Sequence, residues 1–152
     1  MFVKLTDHVW YCNWQAPLEC AQTAGSIINV AHHFRPSRGR DAYWRNLAAI
    51  PHTVPLFRLA RRDKDEFTAD YANELIGAIE IIKQSNAFPL LTHCQMGGHR
   101  GPSAAVFAAW HLGGRGAEWL SYLVQSAFPC YTEETKGNYR RTMIAYCRSR
   151  CA

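Results

Sequence analysis

One segment of the chain, LLTHCQMGGHRGPS at Leu90–Ser103, constrains the fold more than any other. Its first residues, Leu90 to Thr92, are apolar or β-branched and are typical of a buried strand. The two adjacent glycines that follow indicate a tight loop. Pro102 is favoured in the first turn of a helix. The segment therefore predicts a strand, a short loop and a helix in direct succession.

Other segments continue this alternation of strands and helices. Ser26–Ala31 is a β-branched run and Thr53–Leu59 has alternating apolar positions, so we expect both to be strands. After Thr68, a suitable N-cap, apolar residues recur at three- and four-residue steps and indicate a helix that ends near Gln84. We expect further helices at residues 42–50, from Gly101 to Leu112, at 117–128 and at 135–150.

Strands that alternate with helices predict an α/β fold. We expect a central, mostly parallel sheet of about four to five strands that is flanked by helices. The chain has 152 residues, of which 48% are hydrophobic, and this is enough apolar surface for one core. Because no linker or repeat interrupts the pattern, a single domain over residues 1–152 is expected.

The charge balance limits the partners without selecting one. The net charge is +5, which favours anionic ligands in general. The sequence contains neither zinc-finger spacing nor an aromatic–glycine RNA-binding motif, so nucleic acid is not expected as a partner. Because no apolar run reaches the length of a membrane span and no secretory signal opens the chain, we expect a cytoplasmic protein without membrane contact.

The loop between Cys94 and Arg100 has the chemistry of an anion site. Where a strand leads into a helix, the first backbone N–H groups are free and the helix dipole favours negative charge. Gly97 and Gly98 would let successive N–H groups turn inward. The same positive field favours the thiolate of Cys94, which is the nucleophilic form. Arg100 could hold two oxygens of a tetrahedral anion with its planar fork.

The run from His93 to Arg100 resembles the His-Cys-x-x-Gly-x-x-Arg signature of cysteine-dependent protein tyrosine phosphatases, most closely their small dual-specificity branch. The resemblance implies that Cys94 attacks phosphorus and that no metal or cofactor takes part. It implies that His93 orients the loop and helps to keep the thiolate ionised. The phosphate-binding residues that it implies are Gln95, Met96, Gly97, Gly98, His99 and Arg100.

The resemblance also implies a general acid on a loop before the helix that precedes the nucleophile strand. Asp63 is the first choice for this aspartate and Asp65 is the second. Near the start of the chain, Val9–Tyr11 and Gly25–Ala31 resemble the opening strands of the same family.

Two residues of the loop region raise separate questions. His99 either adds positive charge toward an acidic substrate or is simply solvated. Gly101 stands where the family usually has Ser or Thr, whose hydroxyl helps the sulfur to leave, so we expect slow breakdown of a phosphocysteine. Ser103 is expected to make a hydrogen bond within the start of the helix instead.

The predicted function is hydrolysis of phosphotyrosine on proteins, with phosphoserine and phosphothreonine as further candidate substrates. One alternative is a non-catalytic phosphate-binding module, which the presence of both Cys94 and Asp63 disfavours. Another is a phosphatase for a non-protein ester such as a phosphoinositide or an RNA 5′ phosphate. The absence of lysine between Cys94 and Arg100 disfavours that alternative. A phosphorylated protein or peptide is therefore the expected partner.

Overall fold

The structure is a computed structural model that describes residues 2–12, 23–31, 54–94 and 99–152. These ranges contain five strands and four helices. The strands are β1 (Phe2–Lys4), β2 (Val9–Cys12), β3 (Ser26–Asn29), β4 (Leu56–Arg58) and β5 (Leu90–His93). The helices are α1 (Ala69–Gln84), α2 (Arg100–Leu112), α3 (Ala117–Ala127) and α4 (Asn138–Ser149).

The strands form one sheet in the order β1-β2-β5-β3-β4. β5 lies at its centre and pairs in parallel with both β2 and β3, while β3 pairs in parallel with β4. β1 is antiparallel to β2 at the edge. The predicted α/β class with a mostly parallel sheet is therefore confirmed. Ligands of such sheets bind beyond the carboxyl ends of the strands, and the chain reaches that edge directly after His93.

The elements differ from the expected ones mainly at their ends. The strands expected at 26–31 and 53–59 are shorter, at 26–29 and 56–58, and β1 was not predicted. The last helix begins at Asn138 rather than Thr135, because Gly137 has a left-handed φ of 112° that interrupts helical geometry. The helix expected at 42–50 and the first strand residue Thr53 lie outside the described residues.

Helix α2 is the central helix of the molecule. It packs against β2 and β5 and is in contact with α1, α3 and α4. All of its residues from Arg100 to Trp110 are buried, and the alanines among them allow close packing. This packing fixes the start of α2 beside the end of β5.

The N-terminus of α1 is the one that the sequence predicted. The Thr68 hydroxyl accepts a hydrogen bond from the backbone N–H of Tyr71 at 3.2 Å, which confirms Thr68 as the N-cap. The apolar face of α1 is buried against the core, as its three- and four-residue spacing predicted. None of the helices in the described ranges combines the length and apolar character needed to cross a bilayer.

Candidate active site

Cys94 directly follows the central strand β5 and is buried, with 1% of its surface exposed. The backbone before it is fixed on one side by a hydrogen bond of 2.9 Å from the Val30 N–H to the His93 carbonyl. Thr92 ties the strand to helix α2, because its hydroxyl donates to the Gly101 carbonyl at 2.6 Å. The position of the cysteine is therefore set by the sheet and by the start of α2.

Gly101 lies against the backbone of His93 and Cys94. A Cβ atom placed on Gly101 would lie 3.1 Å from the Cys94 nitrogen and 3.3 Å from Cα and carbonyl carbon of His93. Backbone atoms of a paired central strand cannot easily move away, so a side chain here would strain the packing. The glycine that the sequence marks as a missing hydroxyl therefore also has a packing role.

Arg100 is the first residue of α2 and its side chain is 7% exposed. Its Nε atom lies 3.0 Å from Oδ1 of Asp63, but the N–H is not aligned with that oxygen, so the contact is an ion pair rather than a hydrogen bond. Its Nη1 atom donates to the Arg61 carbonyl at 2.6 Å. The guanidinium group predicted to bind phosphate thus lies against the loop that carries Asp63.

The acid loop, which we define as residues 59–66, is attached to two helices. The hydroxyl of Tyr71 on α1 donates to the Leu59 carbonyl at 2.7 Å. At the start of α4, the Tyr139 N–H donates to the Asp63 carbonyl at 2.9 Å. These bonds hold the backbone on both sides of the loop, while the Asp63 side chain remains 52% exposed.

Asp65, the second choice for the general acid, has a different environment. Its Oδ2 atom accepts a hydrogen bond of 2.7 Å from the Arg62 N–H, and its Oδ1 atom lies 3.2 Å from Arg62 Nε. The backbone hydrogen bond is the main reason that the pKa of Asp65 is lowered, with the Arg62 charge adding to it. Asp65 therefore closes a turn of the acid loop, whereas Asp63 contacts Arg100. The geometry favours Asp63, whose catalytic role stays a prediction.

Two buried tyrosines are hydrogen-bonded to the acid loop and to each other. The hydroxyl oxygens of Tyr71 and Tyr139 lie 3.0 Å apart. Burial raises the pKa of both, and for Tyr139 the neighbouring Tyr71 hydroxyl and then the Cys94 side chain raise the pKa further. Both hydroxyls are therefore neutral at physiological pH, and Tyr139 lies within electrostatic reach of Cys94. No local pattern in the sequence distinguishes Tyr139 from its neighbours.

The two histidines of the loop are both shifted toward their neutral forms. His93 is fully buried, and burial lowers its pKa to about 4. A neutral His93 can orient the loop but cannot supply the full positive charge that would keep a thiolate ionised. For His99, burial and then the charge of Arg140 lower the pKa, which disfavours the interpretation that it adds positive charge toward a substrate.

Of the remaining predicted site residues, the structure describes Ser103 but not those between Cys94 and His99. The Ser103 hydroxyl donates to the His99 carbonyl within the first turn of α2, which confirms the expected bond. The loop residues Gln95, Met96, Gly97 and Gly98 lie outside the described residues, so their phosphate-binding role stays a prediction.

Comparison with known proteins finds likeness in structure only. No family model and no curated protein matches the sequence. A mutant form of Tk-PTP shares 11% identity, with 97% of this chain and 94% of that chain covered and a TM-score of 0.67. Human DUSP28 shares 14% identity, with 97% of this chain and 90% of that chain covered and a TM-score of 0.64. The core catalytic domain of the PP-IP phosphatase SIW14 from S. cerevisiae shares 14% sequence identity, with 97% of this chain and 83% of that chain covered and a TM-score of 0.59.

These similarities show the fold. The chain has the fold of tyrosine and dual-specificity phosphatases, in agreement with the resemblance found in its loop.

Proposed function

We propose that the protein is a phosphatase that hydrolyses phosphate monoesters through a phosphocysteine at Cys94. One observation carries the proposal: a buried cysteine follows the central strand, and the arginine that opens the next helix forms an ion pair with a carboxylate from another segment. Nucleophile, anion-binding group and proton donor are the three parts that this chemistry requires.

In the first step, the Cys94 thiolate attacks phosphorus. The S–P bond forms as the P–O bond to the leaving group breaks, and Asp63 donates its proton to the departing oxygen. In the second step, Asp63 takes a proton from water, the water oxygen bonds to phosphorus, and the S–P bond breaks. Inorganic phosphate leaves and the thiolate is restored.

Arg100 contacts Asp63 in the structure and is proposed to bind phosphate during the reaction. In the absence of substrate, its cation faces the Asp63 carboxylate at 3.0 Å. A phosphate dianion bound by Arg100 competes with the Asp63 carboxylate for this cation. The same guanidinium then stabilises the equatorial oxygens in the transition state.

Phosphotyrosine on proteins is the proposed substrate, with phosphoserine and phosphothreonine next, and the cytoplasm is the proposed location. A second candidate is a non-protein phosphate ester. It is favoured by the structural likeness to SIW14, which is a PP-IP phosphatase.

The test compares wild type with Cys94→Ser and with Cys130→Ser, in which an exposed cysteine is replaced. Turnover of p-nitrophenyl phosphate and of phosphotyrosyl, phosphoseryl and phosphothreonyl peptides should fall by about 10³-fold or more in Cys94→Ser. Cys130→Ser should retain the wild-type rates. Equal rates in wild type and Cys94→Ser would contradict the proposal, and turnover of phosphoinositides but not peptides would favour the second candidate.

A further inference from the structure

Arg140 is a buried cation with which no carboxylate of the described residues forms an ion pair. It lies in the first turn of α4 and is 4% exposed. Its guanidinium carbon lies 4.7 Å from the ring centre of Phe128 and 5.4 Å from that of Tyr131. Its Nη2 atom donates to the Lys136 carbonyl at 2.5 Å. Within residues 2–12, 23–31, 54–94 and 99–152, no carboxylate forms an ion pair with it and its buried Nε atom has no hydrogen-bond partner.

A buried charge in this state is costly. Aromatic rings and one carbonyl stabilise a guanidinium in part, but removal of a full charge from water is normally balanced by an opposite charge. Arginine stays protonated at neutral pH even where burial lowers its pKa, as it does for Arg140. The charge therefore persists, and it suits a ligand that brings the missing negative charge.

The position of Arg140 says where such a ligand would lie. A Cβ atom placed on Gly137 would be 3.6 Å from Nη2 of Arg140 and 3.7 Å from Cγ of His99, so the two side chains lie against the same side of this glycine. His99 immediately precedes Arg100. The Asp63 charge also acts on both Arg140 and His99. Arg140 thus adjoins the candidate active site instead of forming a remote surface patch.

His99 offers a neutral partner for the same ligand. Its Nδ1 atom is shielded from solvent and has no hydrogen-bond partner among the described residues. Since the ring is shifted toward its neutral form, it can donate one hydrogen bond without adding charge. A guanidinium and an imidazole N–H on one side of Gly137 match the oxygens of a phosphoryl group.

We propose that Arg140, with His99, forms a second anion subsite that binds another phosphoryl group of the substrate molecule whose phosphate is hydrolysed at Cys94. This inference rests on the proposed function and narrows its substrate class. The preferred substrates carry two phosphoryl groups close together, and Arg100 and Arg140 each bind one of them.

The test measures kcat/KM for singly and doubly phosphorylated forms of the same molecule, in one arm with peptides and in another with inositol phosphates. Wild type should prefer the doubly phosphorylated form by at least about tenfold, as expected for one charge-assisted contact. Arg140→Gln should lose this preference while it hydrolyses the singly phosphorylated form within about twofold of wild type. The arm in which the preference appears identifies the source of the second phosphate.

Arg141→Gln is the matched control, because Arg141 is the exposed neighbour on the same helix and donates to Asn138 at 2.7 Å. It should keep the wild-type preference. Arg140→Lys, which keeps a positive charge in a smaller side chain, should keep part of it and serves if Arg140→Gln does not fold. Wild type without preference in either arm would overturn the subsite, as would a preference unchanged in a folded Arg140→Gln. Absence of all turnover would instead contradict the proposed function.

Discussion

The two halves of the candidate active site are held in different ways. Cys94 and the start of α2 lie in the core, where backbone pairing with β2 and β3 and the close approach at Gly101 fix them. Asp63 is half exposed and lies on a loop that is attached to α1 by one hydrogen bond and to α4 by two. The difference teaches that the proposed nucleophile is positioned by packing, and the proposed acid by a few polar contacts. Substitutions in the first half should change stability as well as rate, whereas those in the second should act mainly on rate.

The largest expected effect tests the acid half. Asp63→Asn should lower kcat for p-nitrophenyl phosphate by about 10²- to 10⁴-fold, because the leaving oxygen then receives no proton from this side chain. Its free energy of unfolding should fall by no more than about 1 kcal/mol, because the ion pair with Arg100 involves a carboxylate that is 52% exposed.

Asp65→Asn is the matched control. It removes a carboxylate that accepts from the Arg62 N–H, so it should weaken the turn and lower stability by about 1 kcal/mol while kcat changes little. If Asp65→Asn lost the acid-dependent rate and Asp63→Asn did not, the assignment of the acid would be reversed.

The next effect tests the nucleophile half through pH. Folded protein keeps His93 neutral down to about pH 4, whereas the unfolded chain binds a proton near pH 6.5. Between these values the unfolded state binds more protons, so the free energy of unfolding should fall as pH falls, by roughly 3 kcal/mol in total.

Denaturant titrations from pH 7.5 to 4 would measure this slope. His93→Gln should reduce it, whereas His8→Gln, at an exposed histidine, should leave it unchanged. Equal slopes in wild type and a folded His93→Gln would contradict a buried neutral His93.

A smaller effect tests the close approach at Gly101. Gly101→Ala and Gly101→Ser should each lower the free energy of unfolding by about 1–3 kcal/mol, because the new Cβ meets backbone atoms of His93 and Cys94. Gly77→Ala on α1 is the control, since a Cβ there meets nothing within 4 Å, and it should be neutral or stabilising.

Comparison of Gly101→Ala with Gly101→Ser also separates the effect of the added Cβ atom on packing from the effect of the hydroxyl on catalysis. If the missing hydroxyl slows breakdown of phosphocysteine, Gly101→Ser should turn over substrate faster than Gly101→Ala, at comparable stability. Equal steady-state rates in the two variants would show that the glycine serves packing alone.

The sequence predicted the half of the candidate site around Cys94 better than the half around Asp63. The strand, the cysteine, the arginine and the helix start are contiguous, so local patterns indicated them, and the Thr68 cap was recognised by its spacing. The contacts of the acid half join distant segments. Arg100 donates to the Arg61 carbonyl, and the Tyr139 N–H donates to the Asp63 carbonyl. No local sequence pattern indicates either hydrogen bond.

Arg140 and Gly101 show two further limits. In the sequence Arg140 is one of several basic residues near the C-terminus, and only the structure reveals its burial and its neighbours. The sequence shows that Gly101 lacks a hydroxyl, but it does not show how close the backbone of His93 and Cys94 lies. That distance depends on which elements pack around Gly101.

The most direct test of the central claim is rapid acid quench during turnover of a ³²P-labelled phosphotyrosyl peptide, followed by mapping of the labelled residue. We expect a covalent phosphoryl group on Cys94 that approaches one per molecule, since Gly101 supplies no hydroxyl to help the sulfur leave. The label should be absent in Cys94→Ser and present in Cys130→Ser. Turnover without any label on Cys94, at a rate that Cys94→Ser retains, would contradict the account.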